Sequence, residues 1–338
     1  MRRTGFPWNK IQISVIAALS AAMSGCGGGG DDNPPPPTLI DITAVNRDAV
    51  AHSAAAGLMA LPTTGGSLGA IPLAAGRAKP AGWTVAPMSV LLQSVLAQGA
   101  TAIGSRRHAL AVSSTDYPCE FGGTVTETFD DRDGNNTISP GDVETMVYTN
   151  CMMTADETTN GTARLTVTQF GTASASFQMD AAKYVVSTPR HSLTVNGSVK
   201  LDLSAQSSTM LQTTLTTAGA VIVSVSTHLP FSDIVTLQDG FVMIENYDSQ
   251  AGQTVSTFTG RLDSVAAGGK VDVNTVASAP ITLNVADDYP SAGTVRIKGG
   301  TGTLMLNVVS SSAVRLDLDA NDDGVTESSA TQSWDWLL

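Results

Sequence analysis

The segment Asp131-Arg132-Asp133-Gly134-Asn135-Asn136-Thr137-Ile138-Ser139-Pro140-Gly141-Asp142 places oxygen-bearing side chains at alternating positions. A hard cation such as calcium takes roughly six to eight oxygens. A short segment supplies them by curling around the ion, so that every second residue faces it. Asp131, Asp133 and Asn135 match the first, third and fifth positions of an EF-hand-type loop. The Thr137 carbonyl falls at the seventh, Ser139 at the ninth, where it would hold a bridging water, and Asp142 at the twelfth. Ile138 stands where such loops place an apolar anchor. Two positions depart from the pattern. Asn136 replaces a glycine, although Asn tolerates the left-handed conformation. Asp142 replaces a glutamate, and its shorter arm implies the weaker binding that suffices where calcium is abundant. The competing reading is a solvated acidic turn.

A second acidic loop runs Asp319-Ala320-Asn321-Asp322-Asp323-Gly324-Val325-Thr326-Glu327. Asp319, Asn321 and Asp323 take its first, third and fifth positions, the Val325 carbonyl the seventh and Glu327 the ninth. Ala330 at the twelfth cannot ligate. Asp323-Gly324 between two strands also reads as a plain hairpin turn, which makes this the weaker site.

Motifs for catalysis are sparse. Gly65-Gly66-Ser67-Leu68-Gly69 has the G-x-S-x-G spacing of a nucleophile elbow, but that motif needs a strand before it and a helix after it, and here it sits in a Pro/Gly/Ala-rich stretch. His52, His108, His191 and His228 are scattered, with no metal spacing and no nucleophile beside them. There is no P-loop and no dinucleotide fingerprint. Paired carboxylates for glycosidic chemistry have a geometry that sequence does not display, so an enzyme stays open as a third reading. The leading expectation is a protein that is not an enzyme.

The first acidic loop needs a rigid mount. Gly123–Phe129 before it and Val143–Tyr148 after it alternate as strands, and Cys119 and Cys151 bracket the unit. A hairpin tipped by the loop brings these cysteines together, with an offset of about three residues that a bulge absorbs. Closing such a loop by a disulfide stabilises by roughly 3–4 kcal/mol in the chain-entropy model. From Cys119 onward the period is two, as in Ala163–Thr168, Ser192–Val195, Val199–Leu203, Thr303–Val308 and Val314–Leu318. Gly and Asn-Gly pairs, including Asn160-Gly161 and Asn196-Gly197, read as turns between strands. The expectation is a mainly β fold, an antiparallel meander of about a dozen strands. It would form a sandwich or an open, curved barrel, with one or two N-terminal helices. One helix would start at Asn46 and carry Val50, Ala54 and Leu58; residues 62–82 read as a loop. A second, from Pro87 to Ile103, would dock an apolar face of Met88, Leu91, Leu92, Val95, Leu96 and Ile103.

The N-terminus reads as an export signal. Arg2, Arg3 and Lys10 precede an apolar run from Ile11 to Ala22, too short for a permanent membrane span. Met23-Ser24-Gly25-Cys26 resembles the lipobox of bacterial lipoproteins. The resemblance implies cleavage after residue 25 and a diacylglycerol thioether on Cys26, with further acyl chains such as palmitate. Two or more chains anchor stably. Gly27 after the cysteine, by analogy with Gram-negative sorting, favours the outer membrane. Gly27–Gly30, Asp31-Asp32 and Pro34–Pro37 form a tether stiffened by polyproline. The expected organisation is residues 1–25 signal peptide, 26–38 lipidated cysteine and tether, 39–118 a helical and loop region, and 119–338 the β domain.

The chain has 18 basic and 30 acidic residues, and loss of the signal removes Arg2, Arg3 and Lys10 but no acid. An acidic surface argues against nucleic acid and anionic lipid as partners. Aromatic content of 5% argues against the girdles of a transmembrane β-barrel. Two segments are also similar to an uncharacterised family of Gram-negative bacterial lipoproteins. They are Cys119–Cys151 with its acidic loop, and the end of the chain from Tyr289-Pro290-Ser291-Ala292-Gly293 through the second loop to Trp334. That resemblance implies location and architecture and adds no activity. The functional expectation is a membrane-anchored, calcium-stabilised β-rich lipoprotein of the cell envelope, a structural or binding module with an unspecified protein partner. The alternative is a periplasmic carrier or binder of an apolar ligand under a helix-covered curved sheet.

Overall fold

The computed structural model describes residues 38–66 and 112–338, apart from 136, 172, 228–230, 285–286 and 288. The expected signal peptide, Cys26, the tether up to residue 37 and the Pro87–Ile103 helix lie outside the described residues. The chain is mainly β and antiparallel. Helix α1 (Arg47–Gly66) comes first. Strands follow as β1 (Val112–Pro118), β2 (Gly122–Asp130), β3 (Val143–Thr154), β4 (Glu157–Phe170), β5 (Ser174–Ser187), β6 (His191–Ala205), β7 (Met210–Thr217), β8 (Val221–Thr227) and β9 (Ser232–Leu237). Then come β10 (Val242–Asp248), β11 (Gln253–Ser264), β12 (Gly269–Thr275), β13 (Ile281–Asn284), β14 (Thr294–Lys298), β15 (Thr303–Ser310), β16 (Ala313–Asp319), β17 (Ser328–Ser333) and a last turn, α2 (Trp334–Leu337). Among the described residues the sheet already includes Val112–Pro118, ahead of the expected boundary at Cys119, because β1 pairs along β2. Among the described residues it has 17 strands, more than the expected dozen, because several of the later ones are short.

β1 to β6 form a simple meander. β6 then divides its free edge: residues 199–205 pair with β7 and residues 191–196 with β8. β8 leads to β9, β7 to β10, and both branches rejoin on β11. From β11 the sheet continues through β12 and β13 to β14, β15, β16 and β17. Period-two burial is clean where expected: Ala163, Leu165, Val167, Val199, Leu201, Leu203, Val314, Leu316 and Leu318 all face the core.

The division is prepared by bends inside the long strands. Asn160-Gly161 and Asn196-Gly197, expected as hairpin turns, lie in the middle of β4 and β6. Each Asn-Gly faces a left-handed residue on the preceding strand, Asn150 in β3 and Lys183 in β5, both at φ 48°. The Asn side chain takes over a ladder bond that the bulge breaks. Asn160 Oδ1 accepts the Asn150 N–H at 2.8 Å, and Asn196 Oδ1 accepts the Lys183 N–H at 2.7 Å. The glycine supplies room and a positive φ: a Cβ on Gly161, at φ 101°, would lie 2.0 Å from the Lys183 carbonyl oxygen. Strands that pass a corner through bulges are how one sheet comes to pack on itself.

α1 is held inside this folded sheet. Every residue from Val50 to Gly57 is buried, so burial runs around the helix and not only along the expected Val50–Ala54–Leu58 stripe. The residues are small (Ala51, Ser53, Ala54, Ala55, Ala56 and Gly57), which lets β8, β9 and β11 approach closely. Asn46 serves differently from the expected cap. Its Oδ1 accepts the Thr43 N–H and its Nδ2 donates to the Asp41 carbonyl, fixing the segment that enters the helix. The helix continues through residues 62–66, expected as loop. A buried polar knot pins it: Ser53 Oγ lies 2.6 Å from Asp233 Oδ2 and 2.8 Å from Ser264 Oγ, and Ser264 Oγ donates to the same Asp233 oxygen at 2.7 Å. The other Asp233 oxygen accepts the N–H groups of Ile234 and Ala266.

Gly161→Ala tests the bends against Gly219→Ala, a position also at positive φ but with nothing within 4 Å of its Cβ. Urea unfolding should show a loss of about 1–2 kcal/mol at Gly219 and about 3 kcal/mol or more at Gly161. Equal losses would mean that the close approach at the bend is unimportant.

Candidate functional site

The first acidic loop is mounted as a hairpin tip. Asp130 pairs with Val143 as the last rung of the β2–β3 ladder, so residues 131–142 span the end of the hairpin between strands, where an EF-hand has helices. Cys119 and Cys151 form a disulfide with Cα atoms 5.4 Å apart. The expected offset is taken up beside it, where the register shifts between Gly122 and Thr124 opposite the left-handed Asn150. The loop also docks on β4: the Gly141 N–H donates to the Val167 carbonyl, and the Val167 N–H to the Asp142 carbonyl. Asp142 is fully buried and Asp131 nearly so, while Asp133 is exposed.

Carboxylate oxygens of Asp131, Asp133 and Asp142 lie within 4.8 Å of one another. The loop backbone holds them: Asp142 accepts the Arg132 and Ser139 N–H groups, Asp131 accepts that of Gly134, and Asp133 that of Asn135. The Ser139 hydroxyl reaches Asp133 Oδ2 at 2.8 Å and Asp142 Oδ2 at 3.1 Å. That hydroxyl first, and then the Asn135 N–H, hold the Asp133 carboxyl below its ordinary range. Asn135 Oδ1 is turned to the Thr137 N–H and hydroxyl, while its Nδ2 donates to Asp133. The three acids and Ser139 thus share one cluster, whereas the Asn135 oxygen and the Thr137 amide pair with each other at its side. Three like charges this close repel by about 1 kcal/mol per pair even in water. A divalent cation at their centre would turn that repulsion into attraction.

In the second loop, Asp319, Asp323 and Glu327 also converge within 4.8 Å. This loop joins β16 to β17 and is more exposed. Asp319 accepts the Asp323 and Gly324 N–H groups, Asp323 accepts that of Val325, and Glu327 that of Ala320. Asn321 is hydrogen-bonded to Asp323 through both its oxygen and its amide. Ala330, at the twelfth position, lies in β17 opposite Leu316 and contributes nothing.

Gly65 and Gly66 end α1, so a helix stands where an elbow needs a strand, and Ser67 lies outside the described residues. His108 and His228 also lie outside them. His52 is buried in α1, stacked on Phe231 and against Trp336, with Nδ1–H donating to the Leu337 carbonyl at 2.9 Å. His52 and His191 line the same narrow space, and burial lowers the pKa of both. Thr227 lines the same space, its hydroxyl donating to the Phe231 carbonyl.

A feature without a motif lies on the other side of α1. A cavity of about 120 Å³ opens between the helix and the strands β10, β11, β13 and β15. Its walls include Leu58, Met59, Phe258, Ile281, Leu306 and Trp334. Three polar residues interrupt them: Glu245 of β10, and Thr254 and Ser256 of β11. Glu245 is directly opposite Ser256 on one side and Thr213 of β7 on the other. Ser256 Oγ donates to Glu245 Oε1 over a long 3.5 Å. The buried hydroxyls of Thr213 and Thr254 have no hydrogen-bond partner among the described residues. Desolvation pushes the Glu245 carboxyl up to about 7, with the Ser256 bond opposing it. The sequence hid this site because both phases of Val242-Met243-Ile244 are apolar. Only the position of Glu245 in phase with Met243 and Tyr247 marks an acid on the inner face.

Fold and sites together describe an antiparallel β protein with two acidic loops and a small apolar cavity beside an enclosed helix. No protein-family model matches the chain, and comparison with curated proteins and with solved structures found no match either.

Glu245 gives a pH signature. Its folded pKa lies above its ordinary value of 4.5, so the folded state keeps a proton that the unfolded chain releases. Stability therefore falls as pH rises from 4.5 to about 7. Glu245→Gln should be near neutral at the acid end and stabilising above the upper value, by roughly 3 kcal/mol. Urea midpoints across that range check it; a flat difference between variant and parent would refute it.

Proposed function

We propose that this chain is a lipoprotein of the cell envelope, anchored to the outer membrane by lipid on Cys26, whose β domain takes calcium as part of its fold and serves as a structural or binding module. Supporting the calcium is one observation: Asp131, Asp133 and Asp142 converge on a hairpin tip fastened by a disulfide and docked on β4. The anchor is supported by Met23-Ser24-Gly25-Cys26 and the Gly/Pro-rich tether that follows it. Asp131, Asp133 and Asp142 would contribute side-chain oxygens, Ser139 a water or its own hydroxyl, and Asn135 and Thr137 oxygens at the open side. The Asp319–Glu327 loop would be a second, weaker site. Calcium would replace mutual repulsion of the acids with shared coordination and couple the hairpin tip to the sheet.

A second reading, a periplasmic binder or carrier of an apolar ligand, is favoured by the cavity beside α1. The expected place for such a ligand was beneath the Pro87–Ile103 helix, which lies outside the described residues.

Two readouts test the leading proposal. With a Kd of about 10⁻⁴ M, millimolar calcium should stabilise by about 1–2 kcal/mol, a rise in Tm of roughly 3–6 °C over chelator. The rise should vanish in Asp131→Ala/Asp133→Ala. In fractionated cells, Cys26→Ser should move the protein from the membrane to the soluble envelope fraction. Equal Tm with calcium and chelator would sink the metal, and unchanged fractionation would sink the anchor.

A further inference from the structure

We propose that the cavity beside α1 is a binding site for a small apolar amine, whose hydrocarbon part lies among Leu58, Phe258, Ile281 and Leu306 and whose ammonium group sits on Glu245. The inference rests on the apolar-ligand reading and adds the chemistry of the ligand. Its starting point is the mismatch between the cavity's walls and its polar groups. A cavity of about 120 Å³ lined by aliphatic and aromatic carbon would ordinarily be left dry or filled by a hydrocarbon. Here one wall carries a row of oxygens. Glu245 of β10 and Ser256 of β11 lie side by side on it, Thr254 is two residues from Ser256 on the same strand face, and Thr213 of β7, outside the lining, flanks Glu245.

These oxygens are under-used. Thr254 is 3% exposed, lines the cavity and has no hydrogen-bond partner among the described residues. Thr213 is fully buried and equally unpartnered. Glu245 has the single 3.5 Å bond from Ser256. An unmade hydrogen bond at a buried group is costly, and more so at a charged one. Of these, Glu245 and Thr254 face one space and offer it contacts awaiting an occupant.

The charge of the wall selects the occupant. No lysine, arginine or histidine lines the cavity among the described residues, so the carboxylate has no cation there. An anionic ligand would meet a buried negative charge. A plain hydrocarbon would leave the Thr254 hydroxyl unmet and Glu245 with only its long bond from Ser256. An ammonium group carries several N–H donors, so it can serve Glu245 and the Thr254 oxygen together. Charge-assisted bonds of this kind are about twice as strong as neutral ones. The desolvation felt by Glu245 points the same way, because a buried carboxylate gains most from a cation brought to it. The volume limits the hydrocarbon part to about one ring, since an engineered cavity of about 150 Å³ holds benzene.

The test is calorimetric titration of the full chain carrying Cys26→Ser, so that no detergent competes for the probes. Benzylamine, benzyl alcohol and toluene share one ring and differ in the polar group. They are compared at a pH about one unit above the upper titration of Glu245. Benzylamine should bind at least about tenfold more tightly than either neutral probe. Glu245→Gln, nearly isosteric, should abolish that preference and leave toluene unchanged. Thr254→Val, which keeps the shape and removes the hydroxyl, should weaken benzylamine severalfold without weakening toluene. Toluene binding as tightly as benzylamine, or an amine preference that survives Glu245→Gln, would overturn the amine assignment while leaving the apolar-ligand reading standing. Binding of none of the three probes would overturn both.

Discussion

The buried knot of Ser53, Asp233 and Ser264 is the interaction on which the interior depends. A carboxylate inside a protein is tolerated only when its oxygens are occupied. Asp233 meets that condition with two hydroxyls on one oxygen and two backbone N–H groups on the other. One of those hydroxyls belongs to α1, and the rest of the knot belongs to β9, to the end of β11 and to the turn after it. The knot therefore fixes the helix along its axis and about it at once, which non-directional packing of alanines cannot do. With α1 set, Ala55, Leu58 and Met59 face the β10–β11 side and make one wall of the cavity, while His52 faces Phe231 and α2. Without the knot, a helix this rich in small residues could slide or turn at little cost in buried area.

Room for an enclosed helix comes from the bends. A meander of β1 to β6 continued without interruption would be one broad twisted sheet. Asn150 and Lys183 break the ladder, Asn160 and Asn196 take up the freed N–H groups, and Gly161 and Gly197 allow the backbones to close up. The free edge of β6 can then feed two branches, which meet again on β11. At that strand Gly260 plays a related part, since a Cβ there would lie 2.5 Å from Phe241. The acidic hairpin of β2 and β3 and the cavity beside α1 are thus products of one arrangement. The first is carried at the end of a bent strand pair, and the second is left where the branches rejoin around the helix.

Much of this was legible in the sequence. Alternation in Val199–Leu203 or Val314–Leu318 specifies strand, inward face and antiparallel class, since one face must be buried. The bracketing cysteines and the acid spacing gave the hairpin, its disulfide partner and the convergence of the three aspartates. Other features were hidden for physical reasons. Asn-Gly has the same backbone freedom in a two-residue turn and in a mid-strand bend; what differs is the left-handed residue on the neighbouring strand, which has no local signal. The helix that fills the interior shows no strong stripe, because it is buried all round and therefore apolar or small on every side. Asp233 and Glu245 are single acids in alternating strands, and only the three-dimensional pairing separates a satisfied one from one that lacks partners.

Native-state hydrogen exchange on α1 is the most direct test of the central place of the Ser53–Asp233–Ser264 knot. If the knot binds the helix to the sheet, the amides of Val50 to Leu61 should exchange with the same opening free energy as those of β9 and β11. In Asp233→Ala the helix amides should open at distinctly lower free energy than β5 and β6, which keep their protection. Helix amides in the parent protein that exchange through a separate, low-energy opening while β9 and β11 stay closed would contradict the account.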